Sequence, residues 1–348
     1  MHNGHNYGYT GLCNLGNTCF LNSCCQVLSH MHEFTAIFSD PKVQRHIKSG
    51  LPESELLNEW KILRDVMWSR NGIVSPNRFV NHVQELAKEK DRELFTGWAQ
   101  NDLPEFLLFM IECMHNSLSR HVTMKIVGNV GNPLDQLAIE CYTMLQHTYQ
   151  NEYSEMMDMF YGIYVSELSS VDGTTVHARK PESYFILDLE VLARDGRGMH
   201  NSLYECFDSF TGYETLEGDH AWFNESTGRK EDVRKRIVFW NFPSILVITL
   251  KRFRDEKSKL SNVVSFPLHG LDLARYNTGY NPSQYVYDLF GVCNHSGNTR
   301  GGHYTSFVQT QSGEWVHFND TVVERHIPET RIVSAKAYCL FYRKRRRP

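Results

Sequence analysis

Between residues 150 and 160 the period of this sequence changes, and that change limits the possible folds more than any single motif. Before it, apolar residues recur at helical spacing in ESELLNEWKILRDVMW (53–68), NRFVNHVQELAKE (77–89) and DLPEFLLFMIECMH (102–115), with a weaker stripe over 134–146. After it, short β-branched and aromatic runs take over: YFILDLEV, RIVFWNF, SILVITLKRF, YVYDLFGVC, HYTSFVQT, EWVHFND and AYCLFYR, parted by Gly, Asn, Asp and Ser. These runs predict an antiparallel sheet. Neither a low-complexity linker nor a repeat divides the two halves. The reading is therefore one α+β domain with a helical lobe and a sheet lobe, whose boundary is where a catalytic cleft belongs.

The 348 residues, 41% hydrophobic and 22% charged, suffice for a sizeable core. A formal net charge of −4 gives no electrostatic case for binding nucleic acid or an acidic membrane. The one basic run, Arg343 to Arg347, reads as a solvated tail, with a nuclear address or a nucleic-acid contact as alternatives. No stretch approaches the roughly 18 uninterrupted apolar residues of a membrane span, and the polar start MHNGHNYGYT lacks the core of a signal peptide. A cytoplasmic or nuclear location, not secretion, is the expectation. Nine cysteines without C-x2-C spacing predict reduced, mostly buried thiols, with neither a disulfide framework nor a structural zinc.

Four of those cysteines crowd into GLCNLGNTCFLNSCCQVL (11–28). Phe20, Leu21, Cys24, Val27 and Leu28 have helical spacing, and Gly16-Asn17-Thr18 supplies turn and N-cap chemistry, so Cys19 belongs at a helix N-terminus. There the helix dipole favours the thiolate, the nucleophilic form. Cys24 and Cys25 fall more than a turn further in and read as core thiols; Cys13, before the turn, also reads as packed. A nucleophilic thiol needs an imidazole oriented by a third polar group. In TRGGHYTSFVQTQSGEWVHFND, two strands around a turn at 311–313 bring His303 back beside residues 319–322, within reach of Asn319 or Asp320; strand parity between these two is left open. Asn14, five residues before Cys19, is a candidate oxyanion donor, and a plain turn asparagine is the alternative.

With these residues in place the chain resembles the ubiquitin-specific proteases, papain-like cysteine peptidases that remove ubiquitin. The cysteine stretch, QNDLPEFLLFMIECMH, FPSILVITLKRF, GGHYTSF with WVHFND, and AYCLFYR resemble the family's boxes in the family's order. The resemblance implies a Cys19 nucleophile, His303 as base and then acid, Asn319 as third member with Asp320 assisting, and Asn14 at the oxyanion. It further implies that Gln100 and Asp102 hold the extended ubiquitin tail, and that Phe253, His295, Gly302 and Tyr304 line a glycine-sized channel. Helix capping by Asp102 and core packing of Phe253 are the plain alternatives. Mobile loops are implied at about 254–262 and 294–302.

Implied, too, are a flexible arm at 1–9, a catalytic domain at 10–343 and a basic tail at 344–348. The domain would divide into a thumb at about 10–150, fingers at about 160–240 and a palm for the remainder. Many family members bind zinc in the fingers through two C-x-x-C pairs; here YVSELSSVDGTTVHARK and DHAWFNESTGRKED contain no cysteine. The fingers are expected to hold by strand pairing and packing alone. No metal or organic cofactor is required. The implied partners are ubiquitin and ubiquitinated proteins, and the implied reaction runs through an acyl-enzyme. A silent ubiquitin-binding scaffold and a protease for another ubiquitin-like modifier are the competing readings.

Overall fold

The segment that begins at Cys19 folds as helix α1 (Cys19–His30), all of whose residues are buried. The structure is a computed structural model, which describes residues 7–346 other than 93, 97, 98, 195, 197, 254–257, 299 and 300. Most of the expected arm at 1–9, the end of the basic tail and parts of both expected mobile loops lie outside the described residues. The helices that follow are α2 (His32–Ser39), α3 (Pro41–Gln44), α4 (Pro52–Ser69), α5 (Asn77–Glu89), α6 (Leu103–Leu118), α7 (Pro133–Asn151) and α8 (Glu155–Phe160); α7 packs through Leu137, Ala138 and Cys141 on strands further along the chain. Proline at the first turn of α4, α6 and α7 starts each helix where its missing N–H costs nothing. The strands β1 (Thr10–Leu12) and β2 (Gly72–Val74) form a small parallel pair beside this lobe.

Next come β3 (Gly162–Ser170), β4 (Val176–Tyr184), β5 (Ile186–Glu190), α9 (Leu203–Thr211), β6 (Glu214–Leu216), β7 (Trp222–Asn224), β8 (Arg229–Glu231) and β9 (Val233–Asn241). The chain ends with β10 (Ile245–Lys251), β11 (Leu271–Asp272), β12 (Val286–Gly297), β13 (Gly302–Gln309), β14 (Trp315–Asn319), β15 (Val322–Glu324) and β16 (Ala337–Lys344). The large sheet has the order β15-β14-β13-β12-β16-β10-β5, with β11 added on β12. It departs from the expected antiparallel pattern at one edge, where β5 runs parallel to β10. The long excursion between those two strands makes such a crossover possible.

Both faces of this sheet are covered, which explains the unbroken apolar run ILVITL in β10. Ile245 and Val247 join Cys293, Val308, Phe318 and Phe341 against α1 and the helical lobe. Leu246, Ile248 and Leu250 point the other way, into a second core with Leu203, Cys206 and Phe207 of α9. One sheet thus carries two cores, and the surface between α1 and β13 is where the early cysteine meets the late histidine.

A second sheet, β4-β3-β9-β6, packs Ile163, Val165, Val238 and Trp240 against α7, and the β7–β8 hairpin lies beside it, with Trp222 5.4 Å from His177 of β4. Strand pairing and packing are not all that holds it. Glu167, 6% exposed at the middle of β3, stands opposite Arg179 of β4 and Arg236 of β9 in register. Arg179 Nε donates to its Oε2 at 3.1 Å, and Arg236 Nε and Nη2 donate to its Oε1 at 2.9 and 2.7 Å. One carboxylate between two guanidiniums ties three strands together, and the arginines hold Glu167 below the usual carboxylate range in spite of burial.

The basic run differs from a solvated tail as far as it is described. Arg343 and Lys344 belong to β16; Arg343 pairs with Glu33, and Arg345 pairs with Asp288. Cations already held by carboxylates offer little to nucleic acid.

Candidate active site

The turn before α1 is built by Asn14. Its Oδ1 accepts from the N–H groups of Gly16 and Thr18, each at 3.1 Å, and Asn17 takes a left-handed φ of 57°. Thr18 occupies the N-cap position but does not cap: its hydroxyl accepts from Leu15 N–H at 2.9 Å. The first amides of α1 are thereby left to Cys19, whose sulfur is met by its own N–H, that of Phe20 and, across the lobes, that of Tyr304. Cys19 is 2% exposed, and burial pushes its thiol up, with the Asp320 carboxylate adding to the effect. The dipole argument predicts the opposite direction; in the resting chain desolvation outweighs the three amides. Cys24 and Cys25 are fully buried core thiols, raised by burial, whereas Cys13 is partly exposed.

Register decides the histidine's partner. Phe307 pairs with His317, so odd-numbered residues of β13 and β14 share a face, and Asn319 joins His303. The two are 2.6 Å apart, His303 Nε2 to Asn319 Oδ1. A carbonyl oxygen accepts only, so Nε2 carries the hydrogen and Nδ1 keeps the lone pair. Asp320, at a left-handed φ of 48°, turns away from the imidazole. Its Oδ2 accepts from Asn14 Nδ2 at 3.0 Å and its Oδ1 from Asn22 Nδ2 at 2.8 Å. Asp320 therefore orients Asn14, and one hydrogen of the Asn14 amide is already engaged.

The remaining predicted residues form one wall. Gln100 spans the cleft from the helical lobe: its Oε1 accepts from Gly302 N–H at 2.6 Å, and its Nε2 donates to Gly302 O. Asp102 sits before α6 without capping it; its Oδ1 and Oδ2 accept from Tyr304 Oη at 3.1 Å and Tyr338 Oη at 3.0 Å. With two phenols and, among the described residues, no cation bonded to it, burial pushes Asp102 up to about 6. His295 stacks on Tyr304 with ring centres 4.6 Å apart and meets Phe253 edge-on at 5.4 Å. Gly302 is required by space: a Cβ there would stand 2.2 Å from His295 Nε2. Gly301 has open room, so only the second glycine of the pair is sterically needed.

Sequence reasoning passed over Asn22, Tyr338, Arg252 and Lys259. Asn22 is one turn beyond Cys19 on the same helix face, a spacing that marks it as a neighbour of the cysteine turn. Arg252 is wholly buried and ties the chain with bonds to the carbonyls of Ala337, Leu260 and Asn262. Beside Asp102 opens a cleft of about 500 Å³ lined by Glu105, Tyr161, Asp188, Lys251 and Tyr338. Among the described residues no three His, Cys, Asp or Glu side chains converge as metal ligands. No helix among them is long and apolar enough to cross a membrane.

Comparison with known proteins gives the arrangement a context. A family model described as ubiquitin carboxyl-terminal hydrolase matches residues 10–342. Human ubiquitin carboxyl-terminal hydrolase 2 is 34% identical over 348 residues, covering 96% of this chain and 55% of that protein. Human ubiquitin carboxyl-terminal hydrolase 21 is 29% identical over 361 residues, covering 98% and 62%. The chain thus spans little more than half the length of these relatives. In fold it is similar to the SAGA Ubp8/Sgf11/Sus1/Sgf73 DUB module bound to ubiquitin aldehyde, with a TM-score of 0.73, 23% identity and coverage of 98% of this chain and 70% of that one.

Proposed function

The chain belongs to the ubiquitin carboxyl-terminal hydrolase family, and from that premise we propose that it is a deubiquitinating thiol hydrolase working through Cys19, His303 and Asn319. The observation that carries this reading is the meeting of two distant segments. The buried Cys19 sulfur lies against the N–H of Tyr304, and the preceding residue, His303, is held through Nε2 by Asn319 at 2.6 Å. That bond leaves Nδ1 of His303 as the base.

In the proposed reaction His303 Nδ1 takes the Cys19 proton while the sulfur attacks the carbonyl carbon of ubiquitin's terminal glycine. The oxyanion is received by the N–H of Cys19 and by the free hydrogen of the Asn14 amide, which Asp320 and Asn22 hold in place. His303 then gives its proton to the departing lysine amine, and the C–N bond breaks to leave a thioester. Water, deprotonated by His303, attacks the thioester and releases the carboxylate and the thiol. Because burial holds the resting thiol protonated, docking of the tail is the step that brings thiol and imidazole together for transfer.

The tail is assigned to the wall of Gln100, Asp102, Phe253, His295, Gly302 and Tyr304. The helical lobe is assigned to the thumb, the large sheet to the palm and the β4-β3-β9-β6 sheet to the fingers that grip ubiquitin's body. Reaction of the purified chain with ubiquitin carrying a thiol-reactive electrophile at its C-terminus tests this. A covalent adduct is expected on the wild type and none on Cys19→Ala, as read by intact mass. Adduct formation that survives Cys19→Ala overturns the assignment. Ubiquitin bound without any adduct supports the scaffold instead, and preference for another ubiquitin-like probe redirects the substrate.

A further inference from the structure

One cation in the channel wall has no part in the reaction just described. Lys259 is paired with Phe253 in an antiparallel bridge. Its ammonium lies 5.7 Å from the centre of the Phe253 ring. Nζ donates to the main-chain oxygen of His295 and stands 3.1 Å from Nδ1 of the same residue. Two grips on one residue set both its backbone and its ring.

An ammonium has hydrogens to give and no lone pair, so the ring nitrogen that faces it acts as acceptor. A neutral imidazole with Nδ1 accepting carries its one hydrogen on Nε2. His295 is 3% exposed, and burial first, then Lys259 and His303 beside it, lowers it to about 4, so the ring is neutral. The same burial lowers Lys259 only to about 8, which leaves it mainly charged at neutral pH. His295 Nε2 lies against Gly302, where a Cβ would stand 2.2 Å from it, one residue from His303.

We propose that Lys259 is a positioning residue that locks His295 in its Nε2–H form, so that His295 presents a single N–H to a carbonyl oxygen of the glycine tail. The same lock prevents His295 from competing with His303 for the Cys19 proton, because its other nitrogen is occupied. For the tail as acceptor this rests on the hydrolase reading; for the tautomer it rests on the free protein alone.

The test uses the full chain labelled with 15N at histidine, with the His295 signals assigned from the spectrum of His295→Gln. Two-bond proton–nitrogen correlations are expected to show His295 as the Nε2–H tautomer in the wild type and in Lys259→Arg, and a shift toward the Nδ1–H form in Lys259→Met. With a ubiquitin amide substrate, Lys259→Met should raise KM roughly five- to tenfold, the effect of one misdirected hydrogen bond. Its kcat should stay within about twofold, since uniform binding is what is lost. A wild-type ring protonated on Nδ1, or a Lys259→Met spectrum identical to the wild type, overturns the proposal. If Lys259→Met does not fold, the wild-type spectrum still decides through the first of these outcomes. If the wild type does not cleave ubiquitin, the hydrolase reading falls while the spectra, recorded without substrate, still judge the lock.

Discussion

Two carboxylates withdrawn from water sit in two parts of this molecule and are treated in opposite ways. Glu167, in the second sheet, lies between Arg179 and Arg236 and is held below the usual carboxylate range. Asp102, in the cleft, receives the hydroxyls of Tyr304 and Tyr338 and, among the described residues, no cation, and burial pushes it up to about 6. The contrast separates a charge whose partners are built into the fold from one that, among the described residues, has no cationic partner, which on the proposed reading the tail supplies. A fully matched carboxylate stabilises the sheet; an unmatched one is a standing cost that a cationic ligand would relieve, which is why perturbed groups concentrate at sites.

The largest effect should come from breaking the matched side. Glu167→Ala leaves two guanidiniums facing each other across β3, and losing one partner of a buried ionic cluster typically costs about 3–5 kcal/mol. At an unfolding entropy of about 2 cal/mol/K per residue, that lowers the thermal midpoint by roughly 4–7 °C. Replacing Glu167, Arg179 and Arg236 together by leucine should recover most of the loss, because the stranded charges are gone. Glu167 has a depressed pKa, so its contribution is present above the unfolded value near ~4.3 and disappears as pH falls through the folded one. A midpoint for Glu167→Ala within a degree of the wild type would erase the distinction between the two sites.

Asp102 reverses the sign. Its folded pKa of about 6 exceeds the unfolded value, so the native state binds the proton more tightly and stability declines as pH rises from ~4 to ~6. The two-unit difference corresponds to about 3 kcal/mol. Asp102→Asn should therefore be more stable than the wild type at pH 7 by up to that amount, with no advantage at pH 4. On the proposed reading it should also lose on the order of 10²-fold in kcat/KM, the cost of one charge-assisted bond to the tail. A cationic tail binds the ionised form, so the wild-type KM should rise as pH falls through about 6, and the asparagine variant should lack that rise. Loss of stability at pH 7, or a KM that keeps the wild-type pH dependence, would place Asp102 with Glu167 as a structural charge.

How much of this was legible in the sequence depends on the range of the interaction. Helical periodicity located α4, α5 and α6 to within a few residues, because that signal is local. The choice between Asn319 and Asp320 was not legible, since it turns on a one-residue difference in strand register that only the Phe307–His317 pairing resolves. Arg179 and Arg236 lie 12 and 69 residues from Glu167, and nothing local marks them as its partners, which is why strand pairing alone was expected to hold that sheet. The direction of the Cys19 shift was misjudged for a related reason. The helix start is local and favours the thiolate, whereas the burial that opposes it comes from the packed core and the Asp320 carboxylate that adds to it lies about 300 residues away, neither of which local sequence shows.

The smallest predicted effect sharpens the comparison from inside the cleft. Tyr338 Oη donates to Asp102 Oδ2 at 3.0 Å, while the ring packs on Phe253 with centres 5.7 Å apart. Tyr338→Phe keeps the ring and removes one of the two hydroxyl donors from the carboxylate. Losing a hydrogen bond worth about 1 kcal/mol to the ionised form moves Asp102 further up by roughly 0.7 of a pH unit. The pH at which KM rises should shift upward by the same amount, giving about a twofold higher KM near pH 6.5 and approaching fivefold at pH 5, with kcat within about twofold of wild type. Removing a donor from Asp102 thus makes the site more like a buried acid and less like Glu167, whereas a KM curve superimposable on the wild type would show that the tyrosines merely fill the wall.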